Sequence, residues 1–366
     1  ALPILREGAA GSCDAVLGNP PWETWQDERR ERHAADAAPQ RSALAPQLRD
    51  GFVHQGRGKL YTYRLFVERA FQLLRPGGRL GMIVPASLWF DRDALPLRRL
   101  LLDQCSWEWL FAFVNRRRLF AIDRRYRFGA MVATKGGRTD AVRVAFGAES
   151  ADAWSAPTPD HHRYPRDAVF GLSPHGGTFV EISSTRDLDL LQQMTLSGRP
   201  LLGPNGLCRW RQGDFNMTSD RGRFVDCRTA ESEGWRQGAD GRWRHPKMPQ
   251  VLRALWQGAM IGTLHPQLGA YHTGSGRGVR WRPARAYGKT EPQYLIEERA
   301  ATTAAPRIGL RALSNATNER SAIACLLADE PCGNSLGALT ARPDSATPWR
   351  DCAFAAGVLA SLTFDW

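Results

Sequence analysis

The chain of 366 residues contains no C-x-x-C pair, and its seven cysteines are odd in number. That pattern excludes a zinc ribbon and a disulfide framework. It leaves the thiols as small buried hydrophobes of a reducing compartment, so a cytoplasmic location is expected. No apolar run approaches the length of a membrane helix, and no signal peptide or internal repeat is visible. Acid is scarce: Asp and Glu total 37 against 49 Lys and Arg, a formal net charge of +12. A chain this basic suits a polyanion, nucleic acid being the commonest, although a general solubilising charge would give the same count. The length exceeds what one core usually fills, so two domains are expected. Residue 1 is Ala and a strand follows almost at once, which gives the start the look of the middle of a longer protein.

Local patterning orders the first part of the chain. Asp14 to Leu17 reads as a strand, followed by Gly18, Asn19, Pro20, Pro21 and Trp22. Residues 23–58 are polar and weakly patterned, a long loop with some helix. Tyr63, Phe66, Val67, Ala70, Phe71 and Leu74 recur at helical spacing on one face. Arg75-Pro76-Gly77-Gly78 should stop that helix, with Gly as a left-handed cap. Leu80 to Val84 is a buried strand, Ala94 to Gln104 a helix, and Trp107 to Val114 and Phe128 to Thr134 two further strands. An arginine-dense loop, 115–127, separates the last two. This order predicts an α/β fold, the second half of a doubly wound, Rossmann-like sheet that ends in an antiparallel hairpin. Ligands of such sheets sit at the carboxyl ends of strands, where Asn19 stands. The expected division is a first domain over 1–147, a linker over 148–170 and a basic, Trp-rich α+β domain over 171–366.

Asn19 to Trp22 carries the chemistry. An exocyclic amine on a base is a poor nucleophile, because its lone pair is delocalised into the ring. The side-chain oxygen of Asn19 and the carbonyl of Pro20 can accept its two hydrogens and localise the pair. Consecutive prolines fix φ and offer no competing N–H. Trp22 offers a flat face for the base, which must first leave its duplex. A rigid turn after a strand would use the same residues. Here the strand before it and the helix, stop and strand after it favour chemistry.

The segment CDAVLGNPPW resembles the catalytic motif of amino-adenine (N6) DNA methyltransferases that carry a C-terminal recognition domain. The likeness is closest to type IIG restriction–modification enzymes and to BREX and DISARM phage-defence methylases. YTYRLFVERAFQLLRPGGRLGMIVPASLW is similar to the helix and strand that follow in that family, and RRLFAIDRRYRFGAMVATKG to its hairpin. The resemblance implies transfer of a methyl group from S-adenosylmethionine to the N6 amine of a flipped adenine. It makes Asn19, Pro20, Pro21 and Trp22 catalytic, and Trp22 and Phe120 the two stacking faces for the base. Asn19, Pro21 and Phe66 become cofactor contacts, though Phe66 alone would pass for core. Arg116, Arg117, Arg118, Arg124 and Arg125 become contacts to the backbone of double-stranded DNA, or else a solvated face.

Three stretches of the second domain, GDFNMTSDRGRF, LWQGAMIGTLHPQLGAY and PRIGLRALSNATNERSAIACLLADEPCGNSL, resemble that family's recognition domains. Leu264 and His265 stand where the family usually has an aspartate–histidine pair. The glycine-rich turn and the acidic residue that hold the donor in this family are not found before Asn19. Gly274, Gly276 and Gly278 do not follow a buried strand and read as a loop. The donor site is therefore expected to need an N-terminal polypeptide or subunit. No nuclease pattern is evident. Two other readings stay open: a catalytically incomplete DNA-binding specificity subunit, and a protein-glutamine methyltransferase.

Overall fold

The computed structural model describes residues 11–25, 51–56, 59–155, 160–198, 200–203, 205–285, 289–300, 306–315 and 318–365. Most of 23–58, read from sequence as a loop with some helix, lies outside them. The chain forms two compact units, Ala1–Gly198 and Arg199–Trp366.

The first unit is built on a six-stranded sheet. Its strands are β1 (Cys13–Gly18), β2 (Leu74–Pro85), β3 (Cys105–Val114), β4 (Arg127–Lys135), β5 (Ala141–Ala148) and β6 (His162–Pro165), in the order β1-β2-β4-β3-β5-β6. β1 and β2 pair in parallel, as do β3 and β5. β4 runs antiparallel between β2 and β3, and β6 antiparallel on β5. The expected hairpin is β3–β4, but it does not end the sheet: β4 is inserted inside it, and β5 and β6 extend it. The carboxyl ends of β1, β2 and β3 share one edge with the amino end of β4.

Helix α1 (Thr62–Leu73) joins β1 to β2. Tyr63, Val67 and Ala70, with Leu74 just beyond the helix, enter the main core, and Phe71 packs at its margin. Phe66 departs from the expected face and joins a small cluster with Phe52, Leu60 and Leu65. The helix does not end on a glycine cap. Leu74 is already extended and opens β2, while Gly77 takes φ +79° further along. Lys135 instead donates to the carbonyls of Phe71 and Leu74, both at 2.7 Å, satisfying acceptors that a helix end leaves open.

Helix α2 (Leu95–Gln104) buries Leu97, Leu100, Leu101 and Leu102. Its Arg98 is fully buried and donates to the carbonyls of Leu88, Gly176 and Gly177 at 2.6–2.7 Å. Burial pulls its pKa down to about 10. Residues 148–170, expected as a linker, contain β6 and the start of α3 (Arg166–Leu172), and α4 (Thr185–Ser197) follows. Tyr164, Ala168, Val169, Phe179, Ile182 and Leu188 complete the main core. Of the residues that suggested a linker, Asp152, Asp160, His161 and Asp167 are exposed.

The second unit is α+β. A five-stranded antiparallel sheet runs β8-β14-β11-β10-β9 and a four-stranded one β16-β15-β17-β7. The strands are β7 (Cys208–Arg211), β8 (Val225–Asp226), β9 (Arg236–Gln237), β10 (Trp243–His245), β11 (Met248–Ala254), β12 (Gly269–Thr273), β13 (Arg280–Pro283), β14 (Tyr294–Glu297), β15 (Arg307–Arg311), β16 (Ala324–Leu327) and β17 (Leu336–Ala341). β12 and β13 form a separate hairpin whose loop holds Gly274, Gly276 and Gly278. Asp214 anchors this unit, pairing at 2.5 Å with the buried Arg307. Trp235, Trp243 and Trp256 are core, whereas Trp210 and Trp349 are exposed.

Candidate active site

The turn after β1 lies at the carboxyl edge of the sheet. Asn19 is exposed, and no described residue hydrogen-bonds its side chain. Pro20 is buried and Pro21 exposed, which leaves the turn rigid while its amide faces outward. Trp22 is half-buried, and its indole Nε1 donates to the carbonyl of Ile83 at 3.3 Å, tying the turn to the end of β2. β1 itself is the outermost strand on this side. Leu17 is 80% exposed and lies across Gly81, where an added Cβ would stand 2.5 Å from its side chain.

The arginine-dense loop meets this turn. Trp22 contacts Phe120 edge-on, with centroids 5.3 Å apart and planes at 71°. Phe128 lies 5.6 Å away at 29° and Tyr126 5.6 Å away at 7°. Trp22 and Phe120 were expected on opposite faces of a base. In this structure the two rings are in edge contact. Two parallel faces around a base need about 7 Å, twice the ~3.4 Å stacking rise.

Two residues that the pattern reading passed over organise the loop. Asn115 is fully buried. Its amide nitrogen donates to the carbonyls of Phe120, Ile122 and Asp123 at 3.0–3.2 Å, and its oxygen accepts from the Phe120 N–H at 3.0 Å. Tyr126 is the other. Burial raises its phenol pKa, with Tyr61 and Asp91 adding to the shift. An asparagine at a strand end and a Tyr two residues before a core Phe are the only signals either offered.

The loop arginines are exposed. Arg116 pairs with Glu149 at 3.0 Å and Arg117 lies 4.0 Å from the same carboxylate. Arg125 pairs with Asp123, whose carboxyl it holds far below the usual range. Arg124 donates to the carbonyl of Arg116. Arg118 stands in the left-handed region at φ +56°. Exposed pairs of this kind are weak, so the guanidiniums can exchange carboxylates for phosphates at little cost.

Behind the site, Arg64 is fully buried against Asp91 at 3.2 Å, with its guanidinium 4.6 Å from the Tyr61 ring centroid. Tyr63 and Ser87 share a hydrogen bond of 2.7 Å. Phe66 is half-buried.

In the second unit, the Asn318 N–H donates to the carbonyl of Asn315 at 2.9 Å, and Arg320 lies 3.9 Å from Asp365. A cavity of about 320 Å³ there is lined by Arg228, Arg236, Arg282 and Lys289 with Trp243 and Tyr271. Among the described residues no cluster of metal-binding side chains occurs, and no helix is long and apolar enough to cross a membrane.

Residues 5–120 match the Eco57I restriction-modification methylase family. That segment carries the Asn19 turn, α1, β2, α2 and β3, so the match and the geometry fall on the same elements. No curated protein matches the chain. Solved structures to which the chain is similar include the type I restriction-modification methyltransferase subunit from Streptococcus thermophilus, at 14% identity over 53% of this chain and 33% of that one, TM-score 0.28. The DNA-bound type ISP restriction-modification enzyme LlaBIII is 11% identical over 91% of this chain and 25% of its own, TM-score 0.41. The DrdV–DNA complex is 10% identical over 91% of this chain and 36% of its own, TM-score 0.40. The chain spans 24%, 34% and 42% of three further solved structures of this group.

Proposed function

We propose that this chain is the catalytic-loop and recognition part of a site-specific DNA methyltransferase that modifies the N6 amine of a flipped-out adenine, in restriction–modification or phage defence. The observation that carries this reading is the Asn19 amide. It is exposed, unengaged and seated on a rigid turn at the carboxyl edge of the sheet, beside the indole of Trp22. The Asn19 oxygen and the Pro20 carbonyl accept the two amine hydrogens, and the Trp22 region receives the base. Double-stranded DNA is the proposed partner, with the loop arginines, Arg118 among them, on its phosphates and the second unit reading its sequence.

S-adenosylmethionine would supply an electrophilic methyl group when bound. The side chains present fit it in part: Phe66 is half-buried, and Asn19 and Pro21 are exposed. The rest of the donor site is proposed to come from a further N-terminal polypeptide or subunit. Parallel strands are normally covered on both sides, yet β1 leaves Leu17 open next to Asn19.

Asn19→Ala tests the assignment in the protein that carries this chain with its completing polypeptide, expressed in a methylation-free host. Adenine methylation should fall by on the order of 10²–10³, the usual loss when one hydrogen-bonding group that activates a reaction is deleted. Retention of duplex DNA should stay as in the parent. Methylation within a few-fold of the parent would remove Asn19 from the mechanism.

A further inference from the structure

We propose that Tyr126, rather than Phe120, is the ring that closes on the second face of the base laid against Trp22. The inference rests on the proposed function and assigns a residue within the same site.

Three observations separate the two rings. Phe120 presents its edge, standing at 71° to Trp22 and 80° to Phe128. Its backbone N–H and carbonyl are both held by Asn115. What it turns toward Trp22 is a ring edge rather than a face, so it acts as a wall beside the site. Tyr126 lies within 7° of parallel to Trp22, the orientation a stacked base would take. It is also 37% exposed, and its hydroxyl has no hydrogen bond to a described residue. Tyrosines usually find such a bond when buried; among the described residues this one meets Trp22 through ring contact.

The backbone at Tyr126 is fixed while the side chain is not. Its N–H donates to Asp123 at 3.0 Å and its carbonyl accepts from Asn115 at 2.9 Å. Moving the ring therefore needs only side-chain rotation, which exposed residues complete in picoseconds to nanoseconds, with no opening of the loop. Trp22 is the fixed partner, bound through Nε1 to Ile83 and packed on Phe128. Tyr126 covers one face of Trp22, and the base is proposed to enter at that face. An entering base displaces it and is then covered by it, so one ring–ring contact is exchanged for two ring–base contacts. That exchange offsets part of the cost of flipping.

The test begins with sequencing of DNA modified by the parent protein and its completing polypeptide, which gives the target position. A duplex with 2-aminopurine at that position then reports stacking, since its fluorescence rises when the base is unstacked. Tyr126→Ala should raise the bound-state signal and slow methylation roughly five- to hundredfold, the loss of one stacking face. Tyr126→Phe should keep both at the parent level. Phe120→Ala should leave the fluorescence unchanged. The assignment is overturned if Tyr126→Ala matches the parent in signal, or if Phe120→Ala alone releases the base. A parent that modifies no DNA motif overturns the proposed function itself, and Tyr126 falls with it.

Discussion

Asn115 shows how much of the site depends on one side chain that performs no chemistry. Its amide nitrogen and oxygen both bond the loop that carries Phe120 and the arginines. Asn115→Ala leaves those partners to water or to nothing. A loss of about 1–3 kcal/mol is expected, the penalty for unmade bonds at a buried polar site. Urea denaturation should show the lower midpoint, and the Phe120 amide should lose protection from hydrogen exchange. An unchanged midpoint with unchanged protection would mean the loop holds itself. Leu264 is the contrasting residue. At φ +55° it occupies a backbone region that Asp tolerates far better than Leu. The aspartate that the resembling recognition domains usually have beside this histidine therefore has a conformational reason, quite apart from any contact.

At the scale of elements, strong periodicity was readable and topology was not. Tyr63, Val67 and Ala70 marked α1, and the apolar runs marked β2, β3 and β4, because each buries a continuous face. The Asn19 turn was legible through its prolines, which dictate conformation without tertiary help. The order of β4 inside the sheet depends on pairing between distant strands and left no local trace. Tyr126 was hidden for a similar reason: its partner Trp22 is far away in sequence, and only the fold brings them together. Helix α4 had a local signal of another kind. Ser184 accepts from the Asp187 N–H while Asp187 accepts from the Ser183 and Ser184 N–H groups, a capping box. The Ser183 N–H, first among several donors, holds the Asp187 carboxyl below the usual range. Because the folded pKa is depressed, the contribution is full above the unfolded value, about 3.9, and is lost as pH falls through the folded one. The protection factors of the Ser183 and Ser184 amides, measured against the intrinsic exchange rate at each pH, should therefore fall as the pH drops below about 3.9. Asp187→Asn should flatten that dependence, and a flat profile in the parent would rule out the carboxylate as the cap.

At the scale of the whole molecule, the boundary between the two units decides which pieces can stand alone. The composition of 148–170 suggested a linker, and an exchange of domains would then be cut near residue 171. That point lies inside α3, whose Ala168 and Val169 are core. Cutting there removes Phe179, Ile182 and Leu188 from the same core. It also removes the carbonyls of Gly176 and Gly177 that receive the buried guanidinium of Arg98. Large core side chains are worth roughly 2–5 kcal/mol each when truncated, and a buried charge stripped of its partners costs a similar amount. Those losses together are as large as the roughly 5–15 kcal/mol that holds a domain folded. Residues 1–198 expressed alone should therefore melt cooperatively, whereas residues 1–170 should not. The measurement is thermal unfolding followed by circular dichroism, with size-exclusion chromatography to detect aggregation. A fragment of residues 1–170 that melts cooperatively at the midpoint of 1–198 would show that α4 and the segment before it are dispensable to the sheet, and would move the boundary back toward residue 171.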